Sequence, residues 1–177
     1  MKAISLAVVI TLLTPIGGSA QGSPYAWWVT ATFQARDEAV EGIPVRDLDR
    51  EWVRASAISA SDLPPEARQR GESPEEHGFS LALEADLDGD GRPERAVVGV
   101  FQARSGETGR FLLILGKSET GGEWVKRAVF SHEGAAGFSA IAVKDGRLQW
   151  VTCFECDTGC EVLRSGRRFR VRCYSCC

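Results

Sequence analysis

The fold is predicted chiefly from residues 79–115, FSLALEADLDGDGRPERAVVGVFQARSGETGRFLLIL. In its first part, every second residue is apolar, so Phe79, Leu81, Leu83 and Ala85 share one face of a β-strand. After an acidic loop, RAVVGVF and RFLLIL are nearly continuous apolar runs of strand length, separated by QARSGETG. Short strands with tight connections predict an antiparallel meander.

The strand pattern continues to the C terminus through EWVKRAVF, FSAIAV, RLQWVTCF, CEVLR and RFRVR. On the N-terminal side, YAWWVTATFQ (25–34) fits either a strand or a helix, and Thr30 and Thr32 favour the strand. VRDLDREWVRASAIS (45–59) predicts a short helix, and residues 61–78 predict a polar connector with at most one helical turn. The expected fold is therefore mainly β: an antiparallel meander or sandwich-like sheet with one or two short helices and a Cys-rich C-terminal β-ribbon.

The first twenty residues have the composition of a secretory signal peptide. Lys2 precedes the apolar run AISLAVVITLL, which is too short to span a bilayer, and small residues follow up to Ala20. We expect cleavage before Gln21 and a single exported β domain over 21–177, periplasmic or secreted and without a membrane span. The formal net charge of −3 argues against nucleic acid as a partner, and a monomer is expected.

The loop between the strand at 79–85 and the strand RAVVGVF carries acids at alternate positions. Counting Asp86 as position one, Asp88 and Asp90 fall at three and five, the backbone carbonyl of Arg92 at seven and Glu94 at nine. Carboxylates this close repel one another, and a structural Ca²⁺ with six to eight oxygen ligands removes the conflict. Position twelve, which is a bidentate Glu in an EF-hand, is Val97, so the pattern predicts a calcium loop in a β-hairpin. The alternative is a solvent-exposed Asp-Gly turn without an ion.

The stretch DLDGDGRPERAVVGV resembles the D-x-D-G-D-G-x-x-D loop of FG-GAP and VCBS-type repeats. The resemblance implies Ca²⁺ held by the side chains of Asp86, Asp88, Asp90 and Glu94 and by the Arg92 carbonyl. A single copy is present, so the resemblance implies the ion and not a propeller of several blades.

All six cysteines fall in the last 25 residues, at Cys153, Cys156, Cys160, Cys173, Cys176 and Cys177. The two C-x2-C pairs have the spacing of a zinc ribbon, so Zn²⁺ at this cluster is an alternative, and redox chemistry is another. Export favours disulfides, and six cysteines make three bridges. If CFECDTGC closes a hairpin, Cys153 and Cys160 lie opposite each other and can pair; the other pairings stay open.

The sequence contains no recognisable catalytic motif: G-x-S-x-G, H-E-x-x-H and a phosphate-binding glycine loop are all missing. We therefore expect a non-catalytic exported domain with a binding or interaction role. RRFRVR presents a basic strand face, either for an anionic glycan or acidic protein partner or simply as a charged edge strand. The alternative function is an envelope-directed hydrolase or enzyme inhibitor, with an unidentified acidic site in a groove lined by tryptophans.

Overall fold

A computed structural model describes residues 26–118, 122–156, 158–165 and 168–175. The chain is mainly β, as the sequence predicts, with antiparallel strands in two larger sheets and one small hairpin. The predicted leader, Cys176 and Cys177 lie outside the described residues.

Eleven strands are found in the described part of the chain. In order they are β1 (Ala39–Val40), β2 (Ile43–Pro44), β3 (Trp52–Ala57), β4 (Ala82–Ala85), β5 (Glu94–Ala103), β6 (Thr108–Lys117), β7 (Trp124–Glu133), β8 (Ala140–Lys144), β9 (Arg147–Val151), β10 (Thr158–Ser165) and β11 (Arg168–Ser175). One sheet has the order β3-β5-β6-β7, with β4 also paired to β5, and the other is a meander of β8 to β11. β3 and β4 share one edge of β5: β3 pairs with residues 99–103 and β4 with residues 94–97.

The central strands β5 and β6 of the five-stranded sheet are mostly buried on both faces. Ala96, Val98 and Val100 of β5 face a core shared with the four-stranded sheet. Phe101 and Ala103, on the opposite face, pack in a second core with residues of β1 and of the segment that follows β2. Burial on both sides explains why the runs in β5 and β6 are continuously apolar, because neither face meets water.

Several glycines of this sheet mark close approaches, and Gly99 and Gly116 show how these differ. A Cβ atom at Gly99 would lie 2.3 Å from Cζ of Phe111 and 2.4 Å from the backbone oxygen of Ser56, so the space is already filled. At Gly116 the nearest atom, 3.1 Å away, belongs to the flexible side chain of Arg127. Gly99 is therefore required for packing between β3, β5 and β6.

The helices are short: α1 (Trp27–Thr30), α2 (Val45–Leu48), α3 (Pro65–Gln69), and a 3-10 turn at Pro74–His77. The strand predicted around Trp27 is wrong, because this segment forms α1. Trp27 and Trp28 are both buried there, where their rings pack against Phe154. Their position in the core, and not local strand propensity, decides the conformation.

The helix predicted over 45–59 is correct only for its first turn, α2, because β3 follows from Trp52. The register with β5 shifts between Trp52 and Arg54, which marks a β-bulge. Trp52 and Ala55 both enter the second core, although they are three residues apart. A bulge adds one residue to a strand and so imitates the spacing of a helix.

Among the residues that the structure describes, two disulfides join four cysteines. Cys153 pairs with Cys156 in the connection between β9 and β10, and Cys160 pairs with Cys173 directly across the β10–β11 hairpin. The predicted Cys153–Cys160 pairing is therefore wrong. These four sulfurs are oxidised, so they do not supply the thiolates that the zinc alternative requires.

Phe154 lies inside the smaller disulfide ring and is surrounded by aromatic side chains. Its ring stacks on His77, with 4.3 Å between centroids, and meets Trp28 and Phe138 edge-on at 4.8 and 4.9 Å. Aromatic contacts of this kind stabilise beyond the buried area alone. They anchor the ring of the smaller disulfide to α1 and to the 3-10 turn.

β11 is the edge strand of the four-stranded sheet. Its arginines at 168, 170 and 172 are exposed, while Phe169 and Val171 pack against the core. This is the alternation predicted for RRFRVR, and it places a row of cations on a sheet edge. No helix in the described residues is long and apolar enough to cross a membrane.

Candidate metal centre

The acidic loop joins β4 to β5. The last pair of the β4–β5 ladder is Ala85 with Glu94, so the loop begins and ends at neighbouring positions. Glu94 is the first residue of β5, and strand alternation places it on the same side as Ala96 and Val98, towards the core between the sheets. Its side chain is consequently buried, with 2% of its surface exposed.

Asp86 organises the loop by accepting backbone hydrogen bonds. Its Oδ1 accepts from the N–H groups of Gly89 at 2.6 Å and Asp90 at 3.1 Å, and its Oδ2 accepts from Gly91 at 3.0 Å. Gly89 and Gly91 have φ angles of +72° and +85°. Glycine adopts this left-handed conformation without steric cost, so the backbone can curl around the Asp86 carboxylate.

Glu94 closes the loop from the opposite side. Its Oε2 accepts the N–H groups of Leu87 at 2.9 Å and Asp88 at 3.2 Å. Burial raises the pKa of Glu94, and the nearby charges of Asp88 and Asp90 raise it further, against the lowering effect of the two hydrogen bonds. The folded environment of Glu94 therefore disfavours its charged form.

The structure brings together Asp86, Asp88 and Glu94, each of which offers an oxygen within 4.8 Å of the others. Asp86 is exposed, whereas Asp88 and Glu94 are buried. Asp90 is not one of the three; its Oδ1 accepts the N–H of Arg92 at 2.8 Å. The role of the Arg92 carbonyl stays a prediction.

Arg127 is a site residue that sequence reasoning missed. Its guanidinium lies 3.3 Å from Oδ2 of Asp88. The register of β6 with β7 shifts between Ile114 and Leu115, whose partners are Ala128 and Lys126, so Arg127 is the additional residue of a β-bulge. Bulges redirect side chains, but the residues around Arg127 give no local signal for one.

The donor set fits a hard divalent cation. Ligand oxygens 2.3–2.6 Å from Ca²⁺ can be separated by at most about 5 Å, and the three carboxylates meet this limit. The guanidinium of Arg127 pairs with Asp88, and a dication among the three carboxylates would neutralise two further negative charges. These residues can therefore hold a metal ion. Carboxylate oxygen is a ligand type that suits Ca²⁺ better than it suits softer metals.

Comparison of the chain with protein-family models, with curated proteins and with solved structures finds no match.

Proposed function

We propose that this protein is a non-catalytic exported β domain with a binding role, stabilised by a Ca²⁺ ion in the acidic loop. The observation that carries the metal proposal is the burial of Asp88 and Glu94 beside Asp86, at 5% and 2% exposure for the two buried acids. Buried carboxylates at this separation are unfavourable unless they are protonated or paired with cations. The FG-GAP-like spacing of the loop supports calcium as the ion.

Export is supported by the disulfides and by the signal-like first twenty residues. Disulfides persist in oxidising compartments and are rare in the cytosol, and two of them hold the C-terminal region. A calcium loop also suits an extracellular or periplasmic setting, because extracellular modules bind Ca²⁺ with Kd of roughly 10⁻⁴–10⁻³ M. The ion is a structural component, and the domain acts by binding a partner.

The test is calcium-dependent thermal stability of the mature protein. At a Ca²⁺ concentration ten times Kd, linkage adds about 1.4 kcal/mol to the free energy of unfolding, or about 3–6 °C in melting temperature. The double variant Asp88→Asn with Asp90→Asn should show no calcium-dependent shift, because two loop charges are lost while the amides can still accept hydrogen bonds.

The matched control replaces two exposed acids outside the loop, Asp47→Asn with Asp145→Asn, and should keep the full calcium response. A wild-type melting curve that is the same in calcium and in chelator would refute the metal proposal. Native mass spectrometry gives a second readout, since bound Ca²⁺ and Zn²⁺ differ in mass and the double variant should carry neither.

A further inference from the structure

A cleft of about 370 Å³ opens between the two sheets, away from the acidic loop. Arg110 of β6 and His132 of β7 line one side and are direct cross-strand partners. Trp150 of β9 and the Cys160–Cys173 disulfide line the other. Thr152, Thr158 and Tyr174, which carry hydroxyl groups, also line the cleft.

Arg110 is a partly buried cation with no counterion in the part of the chain that the structure describes. Strand alternation places it in the row of Leu112 and Ile114, which face the core between the sheets. Its Nε donates to the backbone oxygen of Ala135 at 3.2 Å, and no ion pair of Arg110 is found among the described residues. Burial lowers the pKa of Arg110, and no acid among the described residues contributes a compensating increase.

Such an arrangement is unusual because a desolvated charge is unfavourable unless it is paired. The chain is not short of acids, with 24 Asp and Glu against 21 Lys and Arg. Several other arginines, such as Arg95 and Arg172, make ion pairs with glutamates. An anion that enters the cleft would supply the counterion that the described residues do not place beside Arg110.

Trp150 provides a second unmet interaction and an apolar surface. Its side chain is almost fully buried, at 3% exposure, and its Nε1–H has no acceptor among the described residues. Buried donors in proteins nearly always have a partner. The indole and the adjacent disulfide also offer an apolar wall against which a non-polar ligand body can pack.

We propose that this cleft binds a small organic carboxylate, whose carboxylate group pairs with Arg110 and whose apolar body lies against Trp150 and the Cys160–Cys173 disulfide. A planar guanidinium matches the two oxygens of a carboxylate. The volume lies at the small end of the 300–1,000 Å³ typical of ligand sites, which suits a compound the size of benzoate and not a chain of sugars. No loop acid lines the cleft, so the inference does not depend on the metal.

The test compares benzoate with benzamide, a neutral compound of nearly the same shape, on the mature protein in calcium buffer. Two-dimensional NMR follows the indole N–H signal of Trp150, assigned with Trp150→Phe, and calorimetry gives the affinity. Benzoate should shift this signal and bind with a Kd of about 1 mM or lower, and benzamide should bind at least about tenfold more weakly.

Arg110→Gln should weaken benzoate binding at least about tenfold and leave benzamide unchanged. The control, Arg104→Gln, removes an exposed arginine that does not line the cleft and should bind benzoate as the wild type does. No benzoate-induced shift of the Trp150 signal, equal binding of benzamide, or unchanged benzoate binding by a folded Arg110→Gln protein would each overturn the proposal. If Arg110→Gln does not fold, the benzoate–benzamide comparison on the wild type decides alone.

Discussion

Replacing Glu94 by Gln should have opposite effects on stability without calcium and with it. The substitution removes one negative charge from the acidic loop and keeps the shape of the side chain. The amide oxygen can still accept the hydrogen bonds that Oε2 receives from Leu87 and Asp88. The change therefore isolates the charge of Glu94 from its role in holding the loop together.

The magnitude follows from the separation of the carboxylates. At 4.8 Å, the upper limit of the oxygen separations in the group, two unit charges repel by about 3.5 kcal/mol at an effective dielectric constant of 20. Glu94→Gln removes two of the three pairs. Attraction to Arg127 and repulsion that persists in the unfolded chain cancel most of this, and a net gain of about 1–2 kcal/mol is expected in chelator. The melting temperature should then rise by about 2–8 °C.

In calcium, the wild type should be more stable than the Glu94→Gln variant. At a concentration one hundred times Kd, the ion adds about 2.7 kcal/mol to the stability of the wild type. The variant gains little because it lacks a charged ligand. Scanning calorimetry in chelator and in about 10 mM Ca²⁺, a concentration chosen from the affinity of extracellular modules, should show the variant melting higher in the first buffer and lower in the second.

The pH dependence in chelator gives an independent check. Because the pKa of Glu94 is raised in the folded protein, the native state holds its proton to higher pH than the unfolded chain does. Metal-free wild type should therefore lose stability as pH rises from the ordinary value of 4.5 through the raised folded value. Glu94→Gln should remove this loss.

Glu133→Gln is the matched control, because it makes the same charge change at an exposed position on β7. It should leave the calcium response of the protein unchanged. If Glu94→Gln lowers the melting temperature equally in chelator and in calcium, the carboxylate is satisfied by protein contacts alone and the reasoning fails.

Two further predictions concern the scaffold. Gly99→Ala should destabilise the protein by about 1–3 kcal/mol in urea unfolding, since its Cβ would overlap filled space, and Gly116→Ala should cost less because a flexible side chain can move aside; equal costs would contradict the packing argument. Replacing both members of the Cys160–Cys173 disulfide by Ala should cost about 3 kcal/mol, against about 2 kcal/mol for the Cys153–Cys156 disulfide, because the sequence separations are 13 and 3 residues. The reverse order in urea unfolding would show that loop entropy does not govern these bridges.

The central strands could be predicted from the sequence because their signal is local. The apolar runs that became β5 and β6 are too short for helices and are bounded by turn residues. The sequence-based predictions were wrong where contacts between residues distant in sequence determine the conformation. Trp27 and Trp28 fit both a strand and a helix, the neighbouring threonines favour the strand, and packing against Phe154 and other aromatic rings selects the helix. The bulge in β3 depends on pairing with β5, more than forty residues away.

The acidic group was predictable for the same reason. Asp86, Asp88 and Glu94 lie within nine residues, so a single loop brings them together. Arg127 approaches this loop from β7, through a bulge whose position depends on the pairing of β7 with β6. The disulfide partners likewise depend on the register of β10 with β11, which places Cys160 opposite Cys173.

The pairing of β3 and β4 with one edge of β5 also sets the order in which the sheet can assemble during synthesis. Strands β3 and β4 come earlier in the sequence than the strand they both join, and Ser80 bridges to Ile141, which comes later still. During synthesis, β3 and β4 therefore have no strand to pair with until residues 94–103 have left the ribosome. For a protein exported as proposed, the larger sheets can be completed after translocation, in the oxidising compartment where the C-terminal disulfides form.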